Sequence, residues 1–105
     1  MTLKDDIKTS LRIVSDDFDH EVEMLIGAAL YDMERAGVNP ALLDEEDMEN
    51  GFVKTAVTAY CKANFGYDNA EADRFNRTYE GILNRLLNSY ENIAAIAAEA
   101  GETEQ

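Results

Sequence analysis

Apolar positions along the chain fall at helical rather than strand spacing almost throughout. In "TLKDDIKTSLRI", Leu3, Ile7 and Leu11 recur every fourth residue, which places them on one helical face. Thr2 precedes them as an N-cap, and Asp5 stands three residues on, an acidic variant of the capping box. The next segment, "SDDFDHEVEMLIGAALYDMERAG", puts Phe18, Val22, Leu25, Ile26, Ala29 and Met33 on one face. Its early carboxylates suit the positive end of a helix dipole, and Gly37 closes it because glycine turns left-handed without a Cβ clash.

A loop around Pro40, the only proline, leads to a third helix expected from about residue 45 to 64. Asp44 is its expected N-cap, with Leu43 and Met48 as a hydrophobic staple. Gly51 falls inside that span at a cost of about 1 kcal/mol relative to alanine, so the residues before it are alternatively a separate helical turn. A fourth helix carries Phe75, Tyr79, Ile82, Leu83, Leu86 and Tyr90 in one stripe, over about twenty residues or roughly 30 Å. The expected fold is all-α: a small bundle of about four helices over residues 1–90. "ENIAAIAAEAGETEQ", residues 91–105, follows as a C-terminal arm. Its polar end reads as disordered, while Ile93 and Ile96 either dock on a partner or extend the fourth helix.

"CKANFGYDNAEADRFNRTYEGI", residues 61–82, joins the third and fourth helices. With Gly66 as the left-handed residue after the third helix, Tyr67 folds back over Cys61 and the stem of Lys62. Asp68 then caps the fourth helix, Glu71 completes the capping pair, and Phe65 closes the core beneath the corner. Asn69 has no structural duty in this reading, and its replacement by alanine is expected to do little. Tyr67, Asn69 and Arg74 are the corner residues placed to meet a partner.

Charge narrows the functional classes. The net charge is −13. Residues 1–50 hold four basic and fourteen acidic side chains, residues 51–90 five and four, and residues 91–105 none and four. Such a chain repels a phosphate backbone, which argues against sequence-specific DNA recognition. Cys61 is the only cysteine, so no intrachain disulfide forms, and its apolar neighbours suit a core thiol. The opening residues lack the apolar stretch of a signal peptide, and no run reaches the ~18 apolar residues of a membrane span.

Candidate chemistry is sparse. Asp16, His20 and Glu23 share a helical face, but one histidine among carboxylates matches neither a zinc signature nor a calcium loop. "DEED", residues 44–47, reads as a solvated helix start rather than a catalytic acid pair. There is no glycine-rich phosphate loop and no nucleophile elbow. No cofactor, metal or catalytic residue is expected.

The densest pattern, "YCKANFGYDN" followed by Arg74, Phe75 and Tyr79, together with the first two helices, resembles the small head-tail connector, or adaptor, proteins of tailed bacteriophages. The resemblance spans residues 3 to about 90. It implies a structural virion protein, made in the bacterial host cytoplasm and placed at the head-tail junction. It further implies a ring of about a dozen copies beneath the portal, extending the DNA channel and meeting a stopper or tail-completion protein. Terminal segments engage the portal in that family, which makes Ile93 and Ile96 a docking-arm expectation. The matched residues Cys61, Phe65, Gly66, Tyr67, Asp68, Asn69, Arg74, Phe75 and Tyr79 report fold ancestry rather than a reacting site.

A ring needs two different faces on each subunit. Arg74, Arg77 and Arg85 recur along one side of the fourth helix, and Asp32 and Glu34 on the second helix are the carboxylates expected to meet them from a neighbour. Intrachain pairing competes with that arrangement. Two other classes remain: a small acidic regulator that binds a basic protein surface, and a helix-turn-helix DNA binder, which the charge disfavours.

Overall fold

Thr2 caps the first helix as its spacing requires. In the computed structural model, which describes residues 2–45, 48, 50–66 and 69–103, the Thr2 hydroxyl accepts from the Asp5 amide at 3.2 Å and the Asp5 carboxylate accepts from the Thr2 amide at 3.4 Å. Helix α1 runs Leu3–Ser10 and buries Leu3 and Ile7. Its exit is a Schellman turn in which the Ile13 amide donates to the Lys8 carbonyl and the Arg12 amide to that of Thr9. Arg12 holds φ +61° there, a conformation usually left to glycine, so the turn carries no sequence signal.

Helix α2, Asp19–Ala36, buries Val22, Ile26, Ala29 and Met33 and ends at Gly37, whose φ is +121°. Phe18 stands just before it, its ring edge-on to Phe65 at 5.6 Å. Charges fasten α1 to α2. Lys8 reaches Asp19 at 2.7 Å and Asp16 at 3.2 Å, and Lys4 reaches Glu23 at 3.2 Å and Asp19 at 3.5 Å. The Lys8 hydrogen bond holds the Asp19 carboxyl below its ordinary range, and the same bond holds Lys8 above its own.

Pro40–Leu42 forms a 3-10 turn, capped by the Asn39 side chain accepting from the Ala41 amide at 2.9 Å. Helix α3 is Gly51–Asn64, which corrects the expected start near residue 45. Its cap is Asn50, whose side-chain oxygen accepts from the Phe52 and Val53 amides at 2.9 and 3.3 Å. Asp44 precedes this cap by six residues and is not helical. Met48 is buried all the same, and Leu43 packs beside the core. Glu46 and Asp47 of the acidic run lie outside the described residues.

Helix α4 is Ala72–Leu87 and helix α5 is Tyr90–Thr103. The expectation of one helix running through Tyr90 is thereby corrected to two. The Ser89 hydroxyl makes the break, donating to the Leu86 carbonyl at 2.7 Å and accepting from the Asn92 amide at 3.2 Å. The described residues thus form five α-helices and one 3-10 turn, with no strand.

α3 is the spine of this arrangement. It packs along α4 on one side and against α1 and α2 on the other. Val53, Ala56, Val57, Ala59, Cys61 and Ala63 are all buried on it, and the alanines let neighbouring backbones approach closely. From the surrounding helices Ile7, Val22, Met33, Tyr79 and Leu86 complete one continuous core.

α5 rests on α4 and the 3-10 turn. Asn92, 1% exposed, anchors it: its side-chain oxygen accepts from the Asn39 amide at 2.7 Å, and its amide group donates to the Gly37 carbonyl at 3.2 Å. Asn92→Ala takes the acceptor from a buried amide and is expected to destabilise by about 1–3 kcal/mol in denaturant melts. Ile96→Ala, at an exposed position, serves as the neutral control. A chain ended after residue 95 should melt close to the full-length protein, and one ended after residue 90 should lose at least as much as Asn92→Ala. Equal melting of the two truncations would show that Asn92 anchors nothing.

Candidate functional site

The corner between α3 and α4 is built from backbone rules upward. Phe65 follows α3 as its C-cap, and Gly66 takes φ +87°, the left-handed conformation its identity predicts. The Gly66 amide donates across the molecule to the Glu21 carboxylate at 3.2 Å, tying the corner to α2. Tyr67 and Asp68 lie outside the described residues, and so does the cap expected of Asp68. Glu71 immediately precedes α4 and makes no side-chain cap bond. Asn69 does the stitching instead. Its amide group donates to the Lys62 carbonyl at the end of α3, and its oxygen accepts from the Glu71 amide at the start of α4. The expectation that Asn69 is dispensable is corrected accordingly.

Two tyrosines close the core behind the corner. Tyr79 is buried and donates to the Asp32 carboxylate of α2 at 2.6 Å, and its ring meets that of Tyr60 edge-on at 5.2 Å. Burial, with the Asp32 charge behind it, pushes both hydroxyls above their ordinary pKa. Cys61 lies wholly buried nearby, and burial raises its thiol to about 12, so it is a core group rather than a nucleophile. Phe65 packs at the core's edge, as its place in the sequence suggests.

The residues expected at a subunit boundary divide into two groups. Asp32 and Arg74 have partners inside the chain: Asp32 holds Tyr79, and Arg74 reaches Glu71 at 2.9 Å and lies 4.7 Å from the Phe75 ring centre. Glu34, Arg77 and Arg85 are exposed on α2 and α4. No carboxylate among the described residues forms an ion pair with Arg77 or Arg85. Ile93 and Ile96 are 56% and 47% exposed on α5, beside Tyr90 at 82%. The carboxylates of the Asp16, His20 and Glu23 face are drawn to Lys8 and Lys4 rather than to one another.

Two openings lie end to end along one face of α3 and are taken together as a groove. At one end it is an opening of about 670 Å³ bordered by Leu42, Phe52 and Glu91, and at the other one of about 240 Å³ bordered by Ala59, Lys62, Arg74 and Phe75. Thr55 borders both. Lys62 and Arg74 both lie over the Phe75 ring, a favourable cation–π arrangement. Sequence reasoning took Phe75 as a core residue and missed this groove, because it arises only where two helices meet.

The model of the phage connector protein family matches residues 3–93, from the first residue of α1 into α5 and past Asn92. No curated protein and no solved structure matches the chain.

Corner substitutions test this geometry. Gly66→Val forces a β-branched residue into a left-handed conformation and is expected to destabilise by about 1 kcal/mol or more. Asn69→Ala removes two bonds across the corner and is expected to lose about 1–2 kcal/mol. Denaturant melts measure both, and an unchanged Asn69→Ala midpoint would contradict the stitching role.

Proposed function

This chain belongs to the phage connector protein family, and we propose that it is a structural protein of the virion's head-tail junction, assembled as a ring between the portal and a stopper or tail-completion protein. The observation that carries this reading is the extent of the match: residues 3–93 include α1 to α4 and the Asn92 anchor of α5. What is matched is therefore a whole packed scaffold rather than one local motif. Among the described residues no group of histidine, cysteine, aspartate or glutamate is placed to hold a metal, and no helix is long and apolar enough to cross a membrane.

The surface supports the ring. A heterologous ring contact joins two different patches of one chain, and the exposed Arg77 and Arg85 on α4 contrast with Glu34 on α2. In the proposed ring these meet across the subunit boundary, with the free side of Asp32 alongside. The exposed Tyr90, Ile93 and Ile96 give α5 an apolar side available to another subunit. The role is scaffolding rather than catalytic, and the ring encircles DNA without binding it: a net charge of −13 keeps the passing phosphates from adhering.

Negative-stain imaging of concentrated protein, alone and with portal protein, tests the proposal. Closed rings of uniform diameter are expected, at least on the portal. Monomers that persist beside portal protein would replace the ring with a small acidic regulator, and salt-sensitive duplex binding at physiological ionic strength would contradict the passive channel.

A further inference from the structure

We infer that the groove along α3 receives helix α5 of a second copy of this chain, a contact that rests on the ring reading and names the surfaces that form it. Four observations converge. The groove has an apolar floor, with Phe52 47% exposed and Thr55 and Ala59 continuing it toward Phe75. Among the described residues of its own chain, α5 borders only the near end, through Glu91.

The far end carries charge of the right sign. Lys62 and Arg74 stand there over Phe75, and no carboxylate among the described residues forms an ion pair with Lys62. Segment 91–105 holds four carboxylates and no cation, and Glu99 and Glu102 fall in the later turns of α5. A helix lying in the groove with Ile93 toward Phe52 brings its acidic end toward Lys62 and Arg74. Its N-terminal end, where the helix dipole is positive, then lies toward Glu91.

Length agrees as well. Phe52 to Lys62 and Ile93 to Thr103 are each eleven residues of helix, ten rises or about 15 Å. Finally, Ile93 and Ile96 are exposed, at 56% and 47%. An amphipathic helix in an apolar groove with one charged end is a recurrent mode of protein recognition. Because the groove and α5 are different surfaces of one chain, the contact is heterologous and propagates from copy to copy.

The test uses the full-length protein in two exposed-site variants, Phe52→Cys and Ile93→Cys, with the buried Cys61 retained. Mixed at high concentration under oxidising conditions, they are expected to form a disulfide-linked heterodimer, and each alone far less. Lys62→Glu with Arg74→Glu should reduce the yield about tenfold through charge repulsion, whereas Arg12→Glu, at the exposed exit of α1, should not. Sedimentation of the same samples separates the two levels of the argument. Association without the mixed cross-link overturns this contact and leaves the ring standing. Absence of both association and cross-link, with portal protein added as well, overturns both. A Phe52→Cys chain that links only to added portal protein gives the groove to the portal and likewise overturns the inference.

Discussion

Burial of α3 between α4 on one side and α1 and α2 on the other is the constraint from which the rest of the structure follows. An acidic chain of 105 residues gains little from surface charge pairs, so its stability rests on one well-packed apolar centre. Val53, Ala56, Val57 and Cys61 lie at that centre with no exposed surface. To surround α3, the chain must reverse sharply after Asn64, and Gly66 and Asn69 make that reversal possible. α2 must also lie close enough for Asp32 to receive the Tyr79 hydroxyl. α5 is the remaining piece, held at the end of α4 by Asn92 rather than by a large apolar contact.

Much of this was legible in the sequence because it obeys local rules. The Thr2 capping box, the glycine at 37 and the left-handed glycine at 66 are each decided by a few adjacent residues, and each appears where the pattern places it. Helical period likewise picked out Ile7, Val22, Met33, Tyr79 and Leu86 for the core. What escaped is non-local or atypical. Asn92 looks like one more polar residue on a helix, and its importance comes from Gly37 and Asn39, more than fifty positions away. The break before α5 was signalled by Asn88 and Ser89, but the apolar stripe continuing to Tyr90 masked it. For α3, Asn50 outcompeted the acidic run at 44–47 because its side chain reaches two free amides at once.

The candidate site follows the same division. Corner residues were readable because they serve the fold, and the structure accordingly turns Cys61, Phe65, Tyr79 and Asn69 inward or along the backbone. The surfaces proposed to meet other subunits are elsewhere: the outer face of α3, the arginine side of α4 and the outer side of α5. In the proposed ring the assembly contacts fall on outward faces of α3, α4 and α5, opposite the faces that form the packed centre. Joining the ring then need not disturb the fold.

Amide hydrogen exchange, compared between the monomer and the assembled particle, tests that separation most directly. Interior amides of α3 should be strongly protected in both states, while amides of α5 gain protection only on assembly. Unchanged exchange in α5, or loss of α3 protection as subunits join, would contradict an account in which a fixed core carries a separate assembly surface.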